Sequence, residues 1–478
     1  MNNPLLISIE QMRKNPLTLY LPKKLTQLEM ALALRHRPIN PEHVREISLE
    51  DRIFLVERFK AIFVPYSVCI TAAIAIQDLL HSGLNARNPL LAQNRNFVFS
   101  SALFKGTEAS QLEWWPNFAS GIVIEGITGT GKSQVVDRYL SLLPRTIDHG
   151  PGPGWQALTQ LVYLKVHMPA DGSRGGFLEL AFRALDASLG TSYTAEYSSS
   201  RWRVERKLVV FLHLLSVHRC GLLIIEEAQE QNLSSSRFGR EFLTFFLRIL
   251  NWGIPTVLIG NPLAFDGLHG FSQDVDRFSE GGWHQMLPVL DPGSAEWKEH
   301  WIPGLWSPTL LDSPDALYVP HTSHPLDQEL PGFIWRRTGG VPRYVCRLRR
   351  EVQEFALRKR TSTIDAAMID QVYRQSPKMK ALHGRIEALA ERNWAALQAF
   401  SDMPAAMFRS LWEQPARYVE VAQQAASAPT QTELKTEAQK RPKPRTRAKA
   451  AKVRTSQETF QERQIEALLS VSVKKEGE

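Results

Sequence analysis

The central part of the chain alternates short apolar runs with longer amphipathic stretches. Helical periodicity marks the stretches at residues 176–190, 206–219 and 239–253. The runs between them are apolar at both alternate positions, which is typical of strands buried on both faces of a parallel sheet. Strands that alternate with helices of this length predict a three-layer α/β domain. The predicted strands are SGIVIEG, LVYLKVHM, CGLLIIEE and IPTVLIGNP, at residues 120–126, 161–168, 220–227 and 254–262.

The segments around this domain follow other patterns. Residues 25–37 and 52–63 have helical periodicity, which predicts a mainly helical region before the domain. Residues 281–306 are rich in Trp and Pro; their tryptophans lack interleaved basic residues, which favours packing of an inserted segment over stacking on bases. The predicted regions are a helical extension at residues 1–110, an α/β domain at 111–325, a helical lid at 326–400, a linker and basic tail at 401–456, and a short helix at 457–478.

The positive charge of the chain is concentrated near its C-terminus. The segment from Lys440 to Arg454 holds eight basic residues and no acid, so the remaining 49 Lys and Arg balance 49 Asp and Glu. Its prolines, like charges and scarcity of apolar surface predict disorder. Three uses stay open for it: non-specific binding of DNA, presentation of the helix at residues 457–478 to a partner, and simple solubilisation.

The composition also bears on location. The three cysteines, Cys69, Cys220 and Cys346, form no CxxC pair, which indicates a reducing compartment. The longest apolar stretch, residues 61–76, is short for a membrane span and contains Pro65, so a buried helix is the better interpretation. We therefore expect a cytoplasmic protein that does not enter a membrane.

The sequence GITGTGKSQ follows the first predicted strand and precedes a helix. It satisfies the phosphate-loop pattern GxxxxGK followed by Ser or Thr. Glycines in such a loop let backbone N–H groups surround phosphates, the lysine reaches the terminal phosphates, and the hydroxyl is a ligand for Mg²⁺. We therefore predict that ATP and Mg²⁺ are the cofactors and that the nucleotide contacts are Gly126, Thr128, Gly129, Thr130, Gly131, Lys132 and Ser133.

Polar side chains follow two further predicted strands. Glu226 and Glu227 end the strand LLIIEE, and Asn261 ends the strand IPTVLIG. In a phosphate-loop ATPase the first carboxylate holds Mg²⁺, the second polarises the attacking water, and a polar residue on the next strand orients that water. We predict these roles for Glu226, Glu227 and Asn261 in that order; two solvated glutamates and an Asn-Pro turn are the alternative.

The motifs together resemble a known family. The order GITGTGKS, LLIIEEAQ, LIGN, DRFS and GGVPR is similar to that of AAA+ ATPases of the initiator-like group. Within the group, segments such as FLELAFRALDASLGTSY and GIPTVLIGNP resemble the TnsC, TniB and MuB regulators of cut-and-paste transposons, TnsC most of all. The resemblance covers most of residues 10–400; the tail beyond it matches nothing in the family.

The resemblance implies a fold, a site and a role. The fold is an AAA+ domain with a helical lid. Arg277 would reach the nucleotide of a neighbouring subunit and Arg343 that of its own, although both could be plain surface arginines. Glu226 stands where the family has Asp, which puts the metal geometry in question. Lys165 and Arg174 are candidates for contact with DNA.

TnsC-like proteins bind ATP and form rings or helical filaments on double-stranded DNA. They link a target-selector protein of the TniQ or TnsD type to transposase subunits. For this chain we expect slow, regulatory hydrolysis of ATP and a place in the bacterial cytoplasm, associated with the nucleoid. The extension at residues 1–110 would contact the selector, and the helix at residues 457–478 the transposase. Two alternatives remain: a different AAA+ motor, such as a secretion or helicase-loading ATPase, and an ATP-binding scaffold without turnover.

Overall fold

The computed structural model describes residues 12–39, 44, 46–104, 119–198, 202–228, 237–265, 272–312 and 324–413. For residues 227–228, 237–243 and 272–275 it describes the backbone alone. The described elements up to Trp412 form one compact unit. The basic tail from Lys440 to Arg454 and the predicted helix at residues 457–478 lie outside the described residues.

A five-stranded parallel sheet forms the centre of the molecule. Its strand order is β4-β5-β6-β1-β7. A short antiparallel hairpin, β2 and β3, lies outside this sheet. The strands are β1 Gly121–Gly126, β2 Thr146–His149, β3 Leu158–Leu161, β4 Tyr163–His167, β5 Leu222–Ala228, β6 Thr256–Gly260 and β7 Trp283–Met286.

The four strands predicted from the doubly apolar runs are all present, as β1, β4, β5 and β6. All residues of β1 and β6 are buried, as expected for strands covered on both faces. The insertion predicted at residues 281–306 is wrong in its first part, because Trp283–Met286 forms β7 and pairs in parallel with β1. This edge strand has four residues and no apolar run, so its partner rather than its own sequence defines it.

Helices cover both faces of the sheet. Their N-terminal caps follow the sequence: the Ser173 hydroxyl accepts a hydrogen bond from the Gly176 amide before α7, and Gly190, at φ 69°, ends that helix. The helices up to β7 are α1 Pro16–Leu19, α2 Gln27–Leu34, α3 Leu49–Leu55, α4 Ser67–Ala86, α5 Ala92–Leu103, α6 Lys132–Leu140, α7 Arg174–Leu189, α8 Tyr193–Tyr197, α9 Val204–Val217, α10 Arg237–Asn251, α11 Pro262–Phe265 and α12 Ser272–Ser279.

The two faces have different partners. On one face, buried residues of α5, α7, α9 and α10, among them Phe97, Phe177, Phe211 and Phe246, pack on the strands. On the other face, α4 and α6 lie against the sheet. Helix α4 has the length and composition to cross a membrane, but one face of it is buried against protein. Its buried apolar residues are Cys69, Ala72, Ala73, Ile76, Leu79, Leu80 and Leu84. The N-terminal helices are therefore part of both outer layers.

A Trp-rich helix, Glu296–Trp306, follows β7 and has π-helical turns. Trp297, Trp301 and Trp306 are each at most 2% exposed, which confirms that these three side chains pack in the interior. The Trp301 ring lies 5.0 Å from that of Tyr66, and Trp306 lies under the guanidinium of Arg349. This helix therefore connects the chain before α4 to the helices that follow.

Those following helices form the predicted lid. Two glycines, Gly339 and Gly340, with φ of 58° and 68°, join its first two helices. A Cβ on Gly340 would lie 2.1 Å from the carbonyl oxygen of Val289, so the connection requires glycine there. The lid and the segment after it comprise α13 Leu330–Arg336, α14 Pro342–Arg358, α15 Ala366–Gln375, α16 Pro377–Lys380, α17 His383–Ala390, α18 Trp394–Leu397 and α19 Ala405–Glu413.

A buried arginine holds the lid helices together. Arg337, at the end of α13, donates to Asp327 at 3.0 Å and to Asp370 of α15 at 2.7 Å. Its guanidinium also lies 3.4 Å from the centroid of the Phe333 ring. The adjacent Arg336 contacts the same Asp327 at 2.7 Å, but its side chain is 41% exposed.

We expect Arg337→Met to lower the free energy of unfolding by about 3 kcal/mol, because it removes the buried guanidinium that pairs with the buried Asp327 and with Asp370. The matched change Arg336→Met should cost less than about 1 kcal/mol, because its guanidinium is partly exposed and Asp327 keeps its bond to Arg337. Urea unfolding of the two variants measures both values. Equal losses of stability would contradict the role given to Arg337.

Candidate functional site

The phosphate loop runs from the end of β1 into α6. Gly129 and Gly131 have φ of 101° and 103°, which other residues adopt only with strain. The Thr130 hydroxyl donates to the carbonyl of Ile127 at 2.9 Å, and this bond closes the turn within the loop. The loop therefore has the left-handed glycines and internal bonds that direct backbone N–H groups to one side, as a phosphate requires.

The lid touches this loop directly. The Arg343 amide, at the start of α14, donates to the carbonyl of Gly129 at 3.2 Å. A Cβ on Gly129 would lie 2.9 Å from the Cβ of Arg343 and 3.1 Å from Val341. The predicted lid arginine is thus placed against the phosphate loop, and the lid approaches closely because Gly129 has no side chain.

Lys132 is the first residue of α6, and its side chain turns back over the loop. Its Nζ donates to the carbonyls of Gly126 at 2.6 Å and Ile127 at 3.1 Å. Burial, together with the charge of Arg343, lowers the pKa of the Lys132 ammonium to about 8. A bound phosphate would favour the charged form of this lysine, since an opposite charge raises the pKa of an ammonium.

Glu226 lies near the carboxyl end of β5, where the pairing with β6 shifts by one residue between Ile225 and Ala228. Such bulges turn side chains toward a site. The Glu226 carboxylate lies 2.6 Å from the Nζ of Lys165. Burial alone would raise the pKa of Glu226, but hydrogen bonds from Lys165 and Ser133 outweigh it, so the pKa lies below its ordinary value.

These residues fit a magnesium ion bound with a nucleotide. Ser133 supplies a hydroxyl and Glu226 a charged carboxylate, and the two lie within hydrogen-bond reach of each other. Mg²⁺ is commonly bound by one or two oxygens of the protein together with phosphate oxygens and water. Among the described residues no group of three or more His, Cys, Asp or Glu could hold a metal by itself. The donors present therefore suit a metal that arrives with phosphates.

The structure describes only one of the two side chains predicted to act on the attacking water, that of Asn261 and not that of Glu227. Glu227 follows Glu226 on β5, but its side chain lies outside the described part of the chain. Asn261 lies directly after β6, where its Oδ1 accepts from the Leu263 amide at 3.1 Å. Its Nδ2 donates to the carbonyl of Asp402 at 2.8 Å, so two bonds fix the orientation of this amide group.

A cavity of about 1050 Å³ joins these groups. The phosphate loop, Glu226, Asn261 and Arg343 all line it, which brings most of the predicted site together. Pockets for nucleotide-sized ligands are of this order, about 300–1,000 Å³. Sequence reasoning missed several lining residues because no motif marks them; the apolar ones are Ile62, Phe63, Val64, Leu305 and Cys346, and the basic ones are Lys60, Arg347, Arg350 and Lys378.

Two predicted site residues within the described part of the chain, Gly126 and Arg277, do not line this cavity. Arg277 lies on α12, half-buried, and its Nη1 donates to Asn251 at 2.9 Å.

Neither predicted candidate for contact with DNA is a free cation. Lys165 pairs with Glu226, and Arg174 pairs with Glu205 at 3.0 Å.

Comparison with known proteins agrees with this geometry. Residues 119–268 match the family described as an AAA domain. The phosphate loop, the parallel sheet with β1 between β6 and β7, and the helical lid define the fold as that of an AAA+ P-loop ATPase. The fold class predicted from the sequence is confirmed for the described residues.

Three solved structures illustrate the comparison with known structures. The ORC1 protein of Aeropyrum pernix, solved in complex with DNA, is 14% identical with a TM-score of 0.36, over 64% of this chain and 66% of that one, just under two thirds of its length. The RuvB Holliday junction branch migration motor of Thermotoga maritima is 15% identical with a TM-score of 0.29, over 59% and 68% of the two chains. Drosophila ORC bound to DNA is 12% identical with a TM-score of 0.32, over 73% and 84%. Comparison with curated proteins gave no match.

We expect Gly129→Ala to weaken ATP binding by about tenfold or more, because a methyl group there strains the loop and pushes against the lid. The control is Gly150→Ala, since nothing lies within 4 Å of a Cβ at that position. Titration with a fluorescent ATP analogue measures both affinities. Wild-type affinity in the Gly129 variant would show that the loop and lid tolerate the added atom.

Proposed function

We propose that this protein binds ATP with Mg²⁺ in the cavity, hydrolyses it slowly, and uses it to regulate DNA transposition. The observation that carries the nucleotide part is the convergence of Lys132, Glu226 and Arg343 on one cavity beside the phosphate loop. A lysine, a carboxylate and a lid arginine from three separate elements are the groups that phosphoryl transfer needs.

Each of these side chains has a distinct part in the reaction. Lys132 and the N–H groups of the loop would bind the phosphates, and Arg343 would add a positive charge from the lid. Ser133 and Glu226 would hold Mg²⁺, which when bound neutralises charge on the phosphate oxygens. Glu227 would then accept the proton of the attacking water while Asn261 orients it. Positioning and charge stabilisation supply most of the catalysis in such reactions.

Slow turnover is supported by the way Glu226 is held. Its carboxylate is already engaged by Lys165 and Ser133, so a metal has to share it with existing partners. A regulatory ATPase needs a bound state that lasts, whereas a motor needs rapid cycling. This arrangement favours the regulator over the motor, and it also keeps open a scaffold that binds ATP without turnover.

The role in transposition rests on the resemblance of the sequence motifs to TnsC-like regulators. On this proposal the protein forms a ring or filament on double-stranded DNA, with Arg277 completing the site of a neighbouring subunit. The extension at residues 1–110 contacts a selector of the TniQ or TnsD type, and the helix at residues 457–478 contacts transposase subunits. The basic segment from Lys440 to Arg454 adds non-specific affinity for DNA.

Changes at two site residues separate binding from turnover. We expect Lys132→Ala to abolish ATP binding, because the lysine contacts the phosphates before reaction, and Glu227→Gln to bind ATP but not release phosphate. The exposed Glu179, on α7, gives the control Glu179→Gln. Binding of a fluorescent ATP analogue and release of phosphate are measured side by side. Wild-type hydrolysis by Glu227→Gln would remove that residue from the mechanism, and no hydrolysis by the wild type would favour the scaffold.

Assembly on DNA tests the regulatory part. We expect oligomers on duplex DNA that require ATP and show little base preference, because contacts to phosphates carry no sequence information directly. Arg277→Ala should bind ATP but assemble or hydrolyse poorly, while Arg183→Ala, at an exposed arginine of α7, should behave as the wild type. Electron microscopy with and without ATP gives the result. Identical particles in both conditions would contradict an ATP-controlled assembly.

A further inference from the structure

A lysine that no motif marks contacts one of the residues that line the site. Lys165 is in the middle of β4, opposite Ile224 of β5, so its side chain is on the same face of the sheet as that of Glu226. Its Nζ lies 2.6 Å from the Glu226 carboxylate and 2.5 Å from Asp137 of α6. Only 17% of the side chain is exposed. One ammonium group therefore bridges the metal-holding strand and the helix that follows the phosphate loop.

This bridge differs from the other ion pairs of the described residues because of what its acidic partner does. Ser133 and Glu226 line the same cavity, and on the proposed function they are the two protein groups that hold Mg²⁺. The ammonium therefore occupies one side of the carboxylate that the metal needs. His167 is a further neighbour, with its Nδ1 3.6 Å from the same oxygen.

We propose that Lys165 is a positioning residue for Glu226 and a built-in competitor of Mg²⁺ that sets the metal concentration at which nucleotide is held. The proposal rests on the nucleotide site proposed above. A fixed positive charge near a metal site weakens the binding of a divalent cation, because like charges repel more strongly in a half-buried place than in water. The bridge also fixes the direction of the carboxylate before the metal arrives.

Lys165 has two acidic partners, so two substitutions should shift the required Mg²⁺ concentration in opposite directions. In Lys165→Met the carboxylate of Glu226 loses its competitor, so half-saturation with Mg²⁺ should need about tenfold less metal. In Asp137→Asn the ammonium loses its other partner and pairs more fully with Glu226, so more metal should be needed. Lys165→Arg keeps the charge and should stay near the wild type. Lys24→Met, which removes an exposed pair with Asp78, is the matched control.

The measurement is binding of a fluorescent ATP analogue to the full chain as MgCl₂ is added from zero, together with direct binding of Mn²⁺ detected by electron paramagnetic resonance. Thermal unfolding confirms that each variant is folded; if Lys165→Met is not, Asp137→Asn and Lys165→Arg still give shifts of defined direction. The same metal dependence in the wild type, Lys165→Met and Asp137→Asn would overturn the role of Lys165 alone. Failure of the wild type to bind the analogue at any Mg²⁺ concentration would instead overturn the proposed function.

Discussion

A parallel sheet has to be covered on both faces, and this constraint determines most of the molecule. The strands β1 and β6 are buried along their whole length, so neither face can be left to water. Helices α5, α7, α9 and α10 cover one face, and α4 covers much of the other together with α6. The region before the α/β domain is therefore built into its layers, and its residues Ile62, Phe63 and Val64 line the functional cavity as a result.

Features that depend on a short stretch of chain could be predicted from the sequence. The doubly apolar runs predicted β1, β4, β5 and β6, and the phosphate-loop pattern predicted the turn before α6, because burial and left-handed glycines leave signals in the sequence itself. Strand β7 was missed because its four residues WHQM are held by pairing with β1, a contact between distant parts of the chain. Its identity as a strand comes from its partner.

In the site, too, local motifs could be predicted and contacts between distant residues could not. Lys132, Glu226, Asn261 and Arg343 were predicted from motif order, and the cavity brings them together. The partners of these residues could not be predicted. The contact of Lys165 with Glu226 depends on the register between β4 and β5, which the sequence does not state. The electrostatics of the site thus depends on pairings that only the folded chain defines.

The bond between Asn261 and Asp402 has a practical consequence for where the chain can be cut. Asp402 follows the lid, and its side chain also pairs with Arg385 of α17 at 2.9 Å. Met407 of α19 meanwhile contacts Gln285 of β7. A fragment that stops at the end of the lid, near residue 400, would lose both contacts to the sheet and leave the Asn261 amide without its acceptor. The smallest piece suited to biochemical work with an intact site therefore extends through α19 to Glu413.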